Sequence, residues 1–127
     1  MTLPRTGPLP RPASVEEAAL VLCAEALDAP NVQRVHFAAS EFTSVCPRTA
    51  QPDFSTIEIE YEPSVACLES KALKLYLWAY RDVGAFAETL AANIADDIVE
   101  AIAPQSLTVT VRQGVRGGIA LTATATR

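Results

Sequence analysis

The stretch that decides the fold is FSTIEIEYE, residues 54–62, in which polar and apolar side chains alternate from Thr56 to Glu62. Alternation of period two is typical of a β-strand with one face buried and the other in water. We expect Ile57, Ile59 and Tyr61 to point into a core, while Glu58 and Glu60 lie on the solvated side. The other elements are interpreted as the means of covering that apolar face.

The segments on both sides of this strand show helical or strand periodicity of their own. Residues 40–53 contain two prolines and no clear period, which predicts a structured loop. Apolar positions spaced by three and four, such as Leu90, Ile94 and Ile98, predict amphipathic helices, with Phe86 at the start of the same row. The predicted elements are strand 32–39, loop 40–53, strand 54–62, helix 68–80, helix 83 or 85 to 102, strand 107–112 and strand 119–126.

This order of elements predicts an α+β domain. Two strands, two helices and two strands (ββααββ) give an antiparallel four-stranded sheet with both helices on one face. The glycines at 117 and 118 join the last two strands as a hairpin. Sheet edges need protection, and closing the sheets of several subunits into a barrel would provide it. We place this domain at 31–127, after a divergent segment at 1–30 with a proline-rich leader and a helix starting at Ser14.

Composition excludes several classes of protein. A chain of 127 residues fits one domain, and its net charge of −5 argues against a nucleic-acid partner, since phosphates are held by clustered cations. No apolar run approaches the roughly 20 residues of a membrane span, and the N-terminus lacks a signal-peptide pattern, so we expect a cytoplasmic protein. Three cysteines without a C-x-x-C pair, and one histidine, fit neither a disulfide framework nor a metal site. A reactive thiol remains to be considered.

Cys46 is the cysteine with the context of a reactive thiol. It lies in a polar loop, whereas Cys23 and Cys67 lie in apolar stretches typical of buried cysteines. Asp53 follows at the mouth of the next strand, where its carboxylate could exchange protons with a bound molecule. Local context leaves open that Cys46 is an unremarkable loop residue and that Asp53 only begins a strand.

Other charged residues have two interpretations each. Glu88 lies on the inward-leaning side of its helix, where a partly buried carboxylate could pair with the N–H edge of a purine-like ring, or it faces water. Lys71 and Lys74, one helical turn apart, could bind dinucleotide phosphates or form the wet face of their helix. Arg116 could contact an anion or belong to an ordinary hairpin turn. No G-x-G-x-x-G follows a strand, so a Rossmann site is not expected.

Two long motifs give the chain a resemblance to a known family. Residues 41–57, EFTSVCPRTAQPDFSTI, and 68–90, LESKALKLYLWAYRDVGAFAETL, followed by RGGI at 116–119, resemble the NADPH-dependent 7-cyano-7-deazaguanine reductases, the QueF family. The resemblance runs from roughly Val35 to Thr124. It implies the tunnelling fold, with subunits assembled into barrels that bind purine-like ligands at subunit interfaces.

The resemblance also implies an activity and a set of roles. Cys46 would attack the nitrile carbon of 7-cyano-7-deazaguanine to form a thioimide, and Asp53 would handle protons. Two NADPH would then reduce the adduct to 7-aminomethyl-7-deazaguanine, in queuosine-type 7-deazapurine biosynthesis. Leu68, Glu69, Ser70 and Glu88 would line the substrate site. The implied cofactor contacts are Lys71 and Lys74 in the ESKALKLY motif, with Arg116 as a further anion contact.

The chain departs from the family pattern beside Glu88. Family members commonly carry a histidine before that glutamate, and Ala87 stands there in this chain. A protective cysteine sometimes found after the glutamate is also missing, since Thr89 and Leu90 follow. Two alternatives therefore stay open: a QueF-like amidinotransferase that adds ammonia to a nitrile-bearing base, and a non-catalytic homologue that binds deazapurines.

Overall fold

The core of the structure is a four-stranded antiparallel sheet with helices packed on one face, seen in a computed structural model that describes residues 8–127. Most of the predicted leader falls within the seven residues outside that range. The elements, in chain order, are α1 (Val15–Ala24), β1 (Leu27–Asp28), β2 (Val35–Val45), β3 (Pro52–Glu62), β4 (Ala66–Cys67), α2 (Ser70–Trp78), α3 (Ala87–Ile102), β5 (Ser106–Arg116) and β6 (Ile119–Thr126).

The sheet has the strand order β2-β3-β5-β6, and every neighbouring pair is antiparallel. Ile57 and Ile59 of β3 lie opposite Val111 and Val109 of β5, and all four are buried. Burial of each such side chain stabilises the fold by about 1.5–3 kcal/mol. The alternation in residues 54–62 therefore predicted the inner face correctly, and the α+β class with the ββααββ order is confirmed.

Helices α2 and α3 cover the inner face. Glu69 caps α2, because its carboxylate accepts hydrogen bonds from the backbone N–H groups of Lys71 and Ala72 at 2.9 and 2.8 Å. The apolar row of α3 is buried at Leu90 and its successors, but Phe86 is exposed because it is the N-cap and precedes the helix. No helix within residues 8–127 is long and apolar enough to cross a membrane.

A third helix, α1, packs against α2 and α3, so the two-helix layer predicted from the sequence is incomplete. The hydroxyl of Ser14 accepts a hydrogen bond from the Glu17 N–H at 3.1 Å and caps α1 as expected. Ala18 and Leu22 of this helix belong to the same buried cluster as α2 and α3. Helix α1, which lies before residue 31, thus shares the core of the domain. A short antiparallel pair of strands, β1 and β4, ties the end of α1 to the chain before α2.

Strand β2 is longer than predicted, and its second half occupies part of the predicted loop. It runs to Val45, whereas the sequence indicated an end at Ala39. The register shifts between Ala39 and Phe42, because three steps along β2 face two along β3, which is the mark of a β-bulge. The extra residue reverses the alternation, so that Phe42 and Ser44 point inward. A period-two pattern cannot extend across such a reversal.

Tyr61 connects the sheet to the start of α2, and removal of its hydroxyl tests that connection. The buried Tyr61 Oη accepts a hydrogen bond from the Leu68 N–H at 3.0 Å. We expect Tyr61→Phe to lower the free energy of unfolding by about 1–2 kcal/mol, since it leaves a buried N–H without its acceptor. Urea denaturation measures this change. Thr124→Val, which removes an exposed hydroxyl from β6, is the control, and an equal effect in both variants would contradict the role given to Tyr61.

Candidate active site

The loop that carries Cys46 is a tight turn between β2 and β3. The Cys46 N–H donates to the Gln51 carbonyl at 2.9 Å, and the Ala50 N–H donates to the Cys46 carbonyl at 2.8 Å. Ala50 adopts a left-handed backbone conformation, with φ of 60°, to close the turn. These bonds hold the thiol at the end of β2, half-buried, opposite the start of β3.

Hydrogen-bond donors surround the sulfur of Cys46 and favour its thiolate. They lower the pKa of Cys46 to about 7, with the hydroxyl of Thr49 as the largest cause, then the backbone N–H groups of Arg48 and Thr49, and the side chain of Arg116 as a smaller one. The Arg48 nitrogen lies 3.4 Å from the sulfur. A large fraction of this thiol is therefore ionised at neutral pH, as a nucleophile requires.

Asp53 lies in a closed ring of hydrogen bonds beside the thiol. Its side chain is 2% exposed, and Arg116 Nη1 donates to Asp53 Oδ1 at 2.6 Å. Gln113 Nε2 donates to Asp53 Oδ2 at 3.3 Å, and Arg116 Nη2 donates to Gln113 Oε1 at 3.0 Å. A buried carboxylate needs such partners to remain charged. Arg116 thus contacts both Cys46 and Asp53, the two residues that the sequence singled out.

The inner face of the sheet carries a cluster of four buried polar side chains at this end. Ser44 lies opposite Asp53 in the β2–β3 register, and Ser55 lies opposite Gln113 in the β3–β5 register. All four side chains are buried, and the two serine hydroxyls have no hydrogen-bond partner among the described residues. Buried polar groups are normally paired, so this end of the sheet is equipped for a polar ligand or reaction and not for packing alone.

The joint between α2 and α3 is bound to the end of β2. The Val45 N–H donates to the Val83 carbonyl at 3.0 Å, and the Ala85 N–H donates to the Val45 carbonyl at 3.2 Å. Between them, a Cβ on Gly84 would come within 3.3 Å of Pro47 Cα, which explains the absence of a side chain there. The first turn of α3, with Glu88, consequently begins next to the Cys46 loop.

Comparison with known families matches residues 52–127 to a family described as "QueF-like protein". The chain belongs to this family. Among curated relatives, the NADPH-dependent 7-cyano-7-deazaguanine reductase of Halorhodospira halophila is 46% identical over 98 residues, 75% of this chain and 83% of the relative. The reductase of the same name from Alkalilimnicola ehrlichii is 48% identical over 91 residues, 72% of this chain and 70% of the relative.

A solved structure resembles about three quarters of this QueF-like chain. It is the archaeosine synthase QueF-Like in its apo form, with a TM-score of 0.66 and 26% sequence identity. The alignment covers 77% of this chain and 94% of the other. The two chains therefore share a fold, although the solved structure and the curated relatives carry different names.

The structure does not bring all the predicted substrate residues together within one chain. The Leu68 N–H is hydrogen-bonded to Tyr61, which lies at the opposite end of β3 from Asp53. Strand geometry separates Tyr61 from Asp53 by about 26 Å. Glu69 and Ser70 follow at the start of α2. The carboxylate of Glu69 is moreover engaged in capping that helix, which lowers its pKa through the hydrogen bonds from Lys71 and Ala72.

The predicted cofactor residues also lie in two separate places, on α2 and beside Asp53. Lys71 and Lys74 are exposed on α2, and neither forms an ion pair with a carboxylate of the described residues. Lys74 lines a groove of about 410 Å³ along the edge of β2, together with Leu77 and Trp78. Arg116 lies at the other end of the sheet, engaged with Asp53, so its predicted contact with a cofactor stays a prediction.

Glu88 is exposed in the single chain, so of its two interpretations the structure shows the one in which it faces water. The reason is its helical phase: Ala87 is 1% exposed and faces the core, and Glu88 lies about 100° further around the helix. The residue that departs from the family pattern thus occupies a buried position. An alanine there packs without needing a hydrogen-bond partner.

Sequence reasoning missed Gln113 and Ser55, although a signal was present. Leu107, Val109 and Val111 alternate as the inner face of β5, and Gln113 continues that parity with a polar side chain. Ser55 stands in the same relation to Ile57 on β3. A polar residue at an inward position near the end of a strand indicates a polar site, and both positions could have been singled out on that ground.

Removal of the Thr49 hydroxyl tests what activates the thiol. We expect Thr49→Val to raise the pKa of Cys46 above about 7, since a donor to the thiolate is lost and Thr49 is the largest cause of the shift. The rate of Cys46 alkylation by iodoacetamide, followed from pH 5.5 to 9.5 by peptide mass spectrometry, gives the midpoint. Arg116→Met should shift it upward by less. An unchanged midpoint in Thr49→Val would refute this assignment.

Proposed function

We propose that this chain reduces the nitrile of 7-cyano-7-deazaguanine to an aminomethyl group, with NADPH as hydride donor and Cys46 as nucleophile. The observation that carries the proposal is a half-buried thiol with a pKa of about 7 beside the buried Asp53–Arg116 pair. Relatives with 46–54% identity that are named for this reaction support it. The substrate is then a small 7-deazapurine, and no nucleic-acid contact is required.

The chemistry assigned to Cys46 and Asp53 begins with addition to the nitrile. The Cys46 thiolate forms a bond to the nitrile carbon, one π bond of the C≡N group breaks, and the nitrogen takes a proton that Asp53 can pass on. The product is a covalent thioimide, which accepts hydride more readily than a nitrile does. After the first reduction the C–S bond breaks and returns the thiolate, and the imine is then reduced to the amine. The nitrogen and carbon together gain two hydrides and two protons.

NADPH would be held by the cations of α2. The exposed ammonium groups of Lys71 and Lys74 stand one helical turn apart, a donor set suited to phosphate groups, and the adjacent groove contains the indole of Trp78. Two NADPH molecules, bound in turn, would each supply one hydride, and the role of the protein would be to orient them and to place protons. The chain's own residues do this at the sulfur of Cys46 and the carboxylate of Asp53.

The separation of the predicted residues favours a site shared between two copies of the chain. Tyr61, which binds the Leu68 N–H just before α2, lies about 26 Å along β3 from Asp53, too far for one base to touch both ends of the sheet. A second copy could place its α2 start against the Cys46 end of the first. That end exposes apolar side chains that an interface would cover, namely Phe54, Phe86, Val115 and Ile119.

Two alternatives rest on specific observations. The structural likeness to an archaeosine synthase QueF-Like favours an amidinotransferase that uses the same thioimide. The intact ESKALKLY motif at 69–76 and the higher identity to reductases favour reduction instead. Ala87 favours a non-catalytic homologue, since the family histidine is missing. Ammonia-dependent product without NADPH oxidation would select the first alternative, and tight binding without either reaction would select the second.

The covalent step can be observed without cofactor. We expect wild-type protein incubated with 7-cyano-7-deazaguanine to gain the mass of the base, and Cys46→Ala to form no adduct and to lose all NADPH oxidation. Intact-protein mass spectrometry and absorbance at 340 nm are the measurements, and Cys23→Ala is the matched control that should keep both. An adduct that persists in Cys46→Ala would rule out the mechanism.

The shared site predicts complementation between two inactive variants. Cys46→Ala lacks the nucleophile, and Ser70→Trp places a bulky ring at an exposed position in the first turn of α2. Because a functional site needs Cys46 from one copy and an open α2 start from another, reassembly of an equal mixture should restore about a quarter of the wild-type rate. If the mixture were no more active than either variant alone, the shared site would be contradicted. These residues would then belong to a site within one chain, or to no common site.

A further inference from the structure

We propose that Gln113 is a positioning residue, which fixes Asp53 and Arg116 in one arrangement beside Cys46. The inference rests on the proposed function only for its catalytic consequence. The arrangement itself is a property of the folded chain and can be tested on the thiol without any substrate.

Both ends of the Gln113 amide are used, and they are used by different partners. The amide nitrogen donates to Asp53 Oδ2 at 3.3 Å, and the amide oxygen accepts from Arg116 Nη2 at 3.0 Å. A carboxylate offers no hydrogen and a guanidinium offers no acceptor, so only one orientation of the amide satisfies both. Gln113 thereby completes the triangle in which Arg116 Nη1 donates to Asp53 Oδ1 at 2.6 Å.

The position of Gln113 gives it no simpler structural purpose. It is 8% exposed and continues the inward row of Leu107, Val109 and Val111 on β5. An apolar side chain would serve packing at such a position, and a lone buried amide would need partners of its own. A glutamine is explained here by the two charged groups that it joins.

Arg116 is the residue most dependent on this support. Its side chain is 52% exposed and lies at the end of β5, next to the hairpin glycines, where little packing restrains a long side chain. Bonds to both Asp53 and Gln113 limit the guanidinium to one plane, which keeps it within reach of the Cys46 sulfur. Without Gln113 one of these two restraints is lost, and Asp53 also loses a donor.

The test is Gln113→Met, which keeps the length of the side chain and removes both hydrogen bonds. We expect the midpoint of Cys46 alkylation against pH to rise by about 0.3–0.5, because a thiolate loses stabilisation when a donor is less well held. The maximal rate at high pH should not change. Gln105→Met is the matched control, since Gln105 donates to the Pro63 carbonyl at the far end of the sheet, and its midpoint should equal the wild-type value.

A double variant distinguishes positioning from a general structural effect. If Gln113 acts on the thiol through Arg116, adding Gln113→Met to Arg116→Met should shift the midpoint no further than Arg116→Met alone. Additive shifts, or a Gln113→Met midpoint equal to wild type in a folded protein, would overturn the proposal. In the nitrile reduction, Gln113→Met should lower kcat about tenfold and leave KM within about twofold. A wild-type protein with no reduction at all would refute the proposed function and leave the thiol test intact.

A second variant covers the case in which Gln113→Met does not fold. Gln113→Glu keeps an acceptor for Arg116 but sets a second carboxylate against Asp53 Oδ2, which raises the pKa of the introduced carboxyl group in the folded state. A raised pKa makes the variant relatively more stable as pH falls. The deficit in Tm against wild type should therefore shrink from pH 7.5 to pH 5. A deficit independent of pH would mean that residue 113 does not face Asp53.

Discussion

The site depends on one constraint, the pair of backbone hydrogen bonds that joins the end of β2 to the segment between α2 and α3. Two backbone hydrogen bonds join Val45 to Val83 and Ala85, and Gly84 lets the two segments touch at Pro47. Without this bridge, the Cys46 turn would be held only by its own strands. With it, the Cys46 loop, the first turn of α3 and the polar end of the sheet are joined, so the position of the thiol is tied to the start of α3, where Glu88 lies.

The charge around Cys46 is opposite in sign to the net charge of the chain. The net charge is −5, yet the sulfur of Cys46 is surrounded by donors and by the guanidinium of Arg116. Arg116 serves the thiolate and the buried Asp53 at the same time, which allows two anions to lie close together in a partly buried site. Cys46 and Asp53 are therefore linked through one cation, which also donates a hydrogen bond to Gln113.

Predictions from sequence succeeded where the pattern was local and regular. The alternation in residues 54–62 gave the inner face of β3, and the spacing of Leu90, Ile94 and Ile98 gave the buried face of α3. They failed where geometry interrupts the pattern. The β-bulge between Ala39 and Phe42 reverses the inward parity of β2, and a strand that changes parity has the appearance of a loop. Helix α1 was foreseen, but its place in the common core was not.

By itself, the sequence determined the class of the fold and singled out Cys46 and Asp53 as candidates, because each follows from local periodicity or from a contiguous motif. Only the tertiary structure decided which distant residues meet. It placed Arg116 and Gln113 on Asp53, more than fifty residues away in the chain, and it set Leu68 and Ser70 at the far end of the sheet from Cys46. The physical reason is that register, bulges and helix phase fix such distances, and these depend on pairing between strands that no single segment encodes.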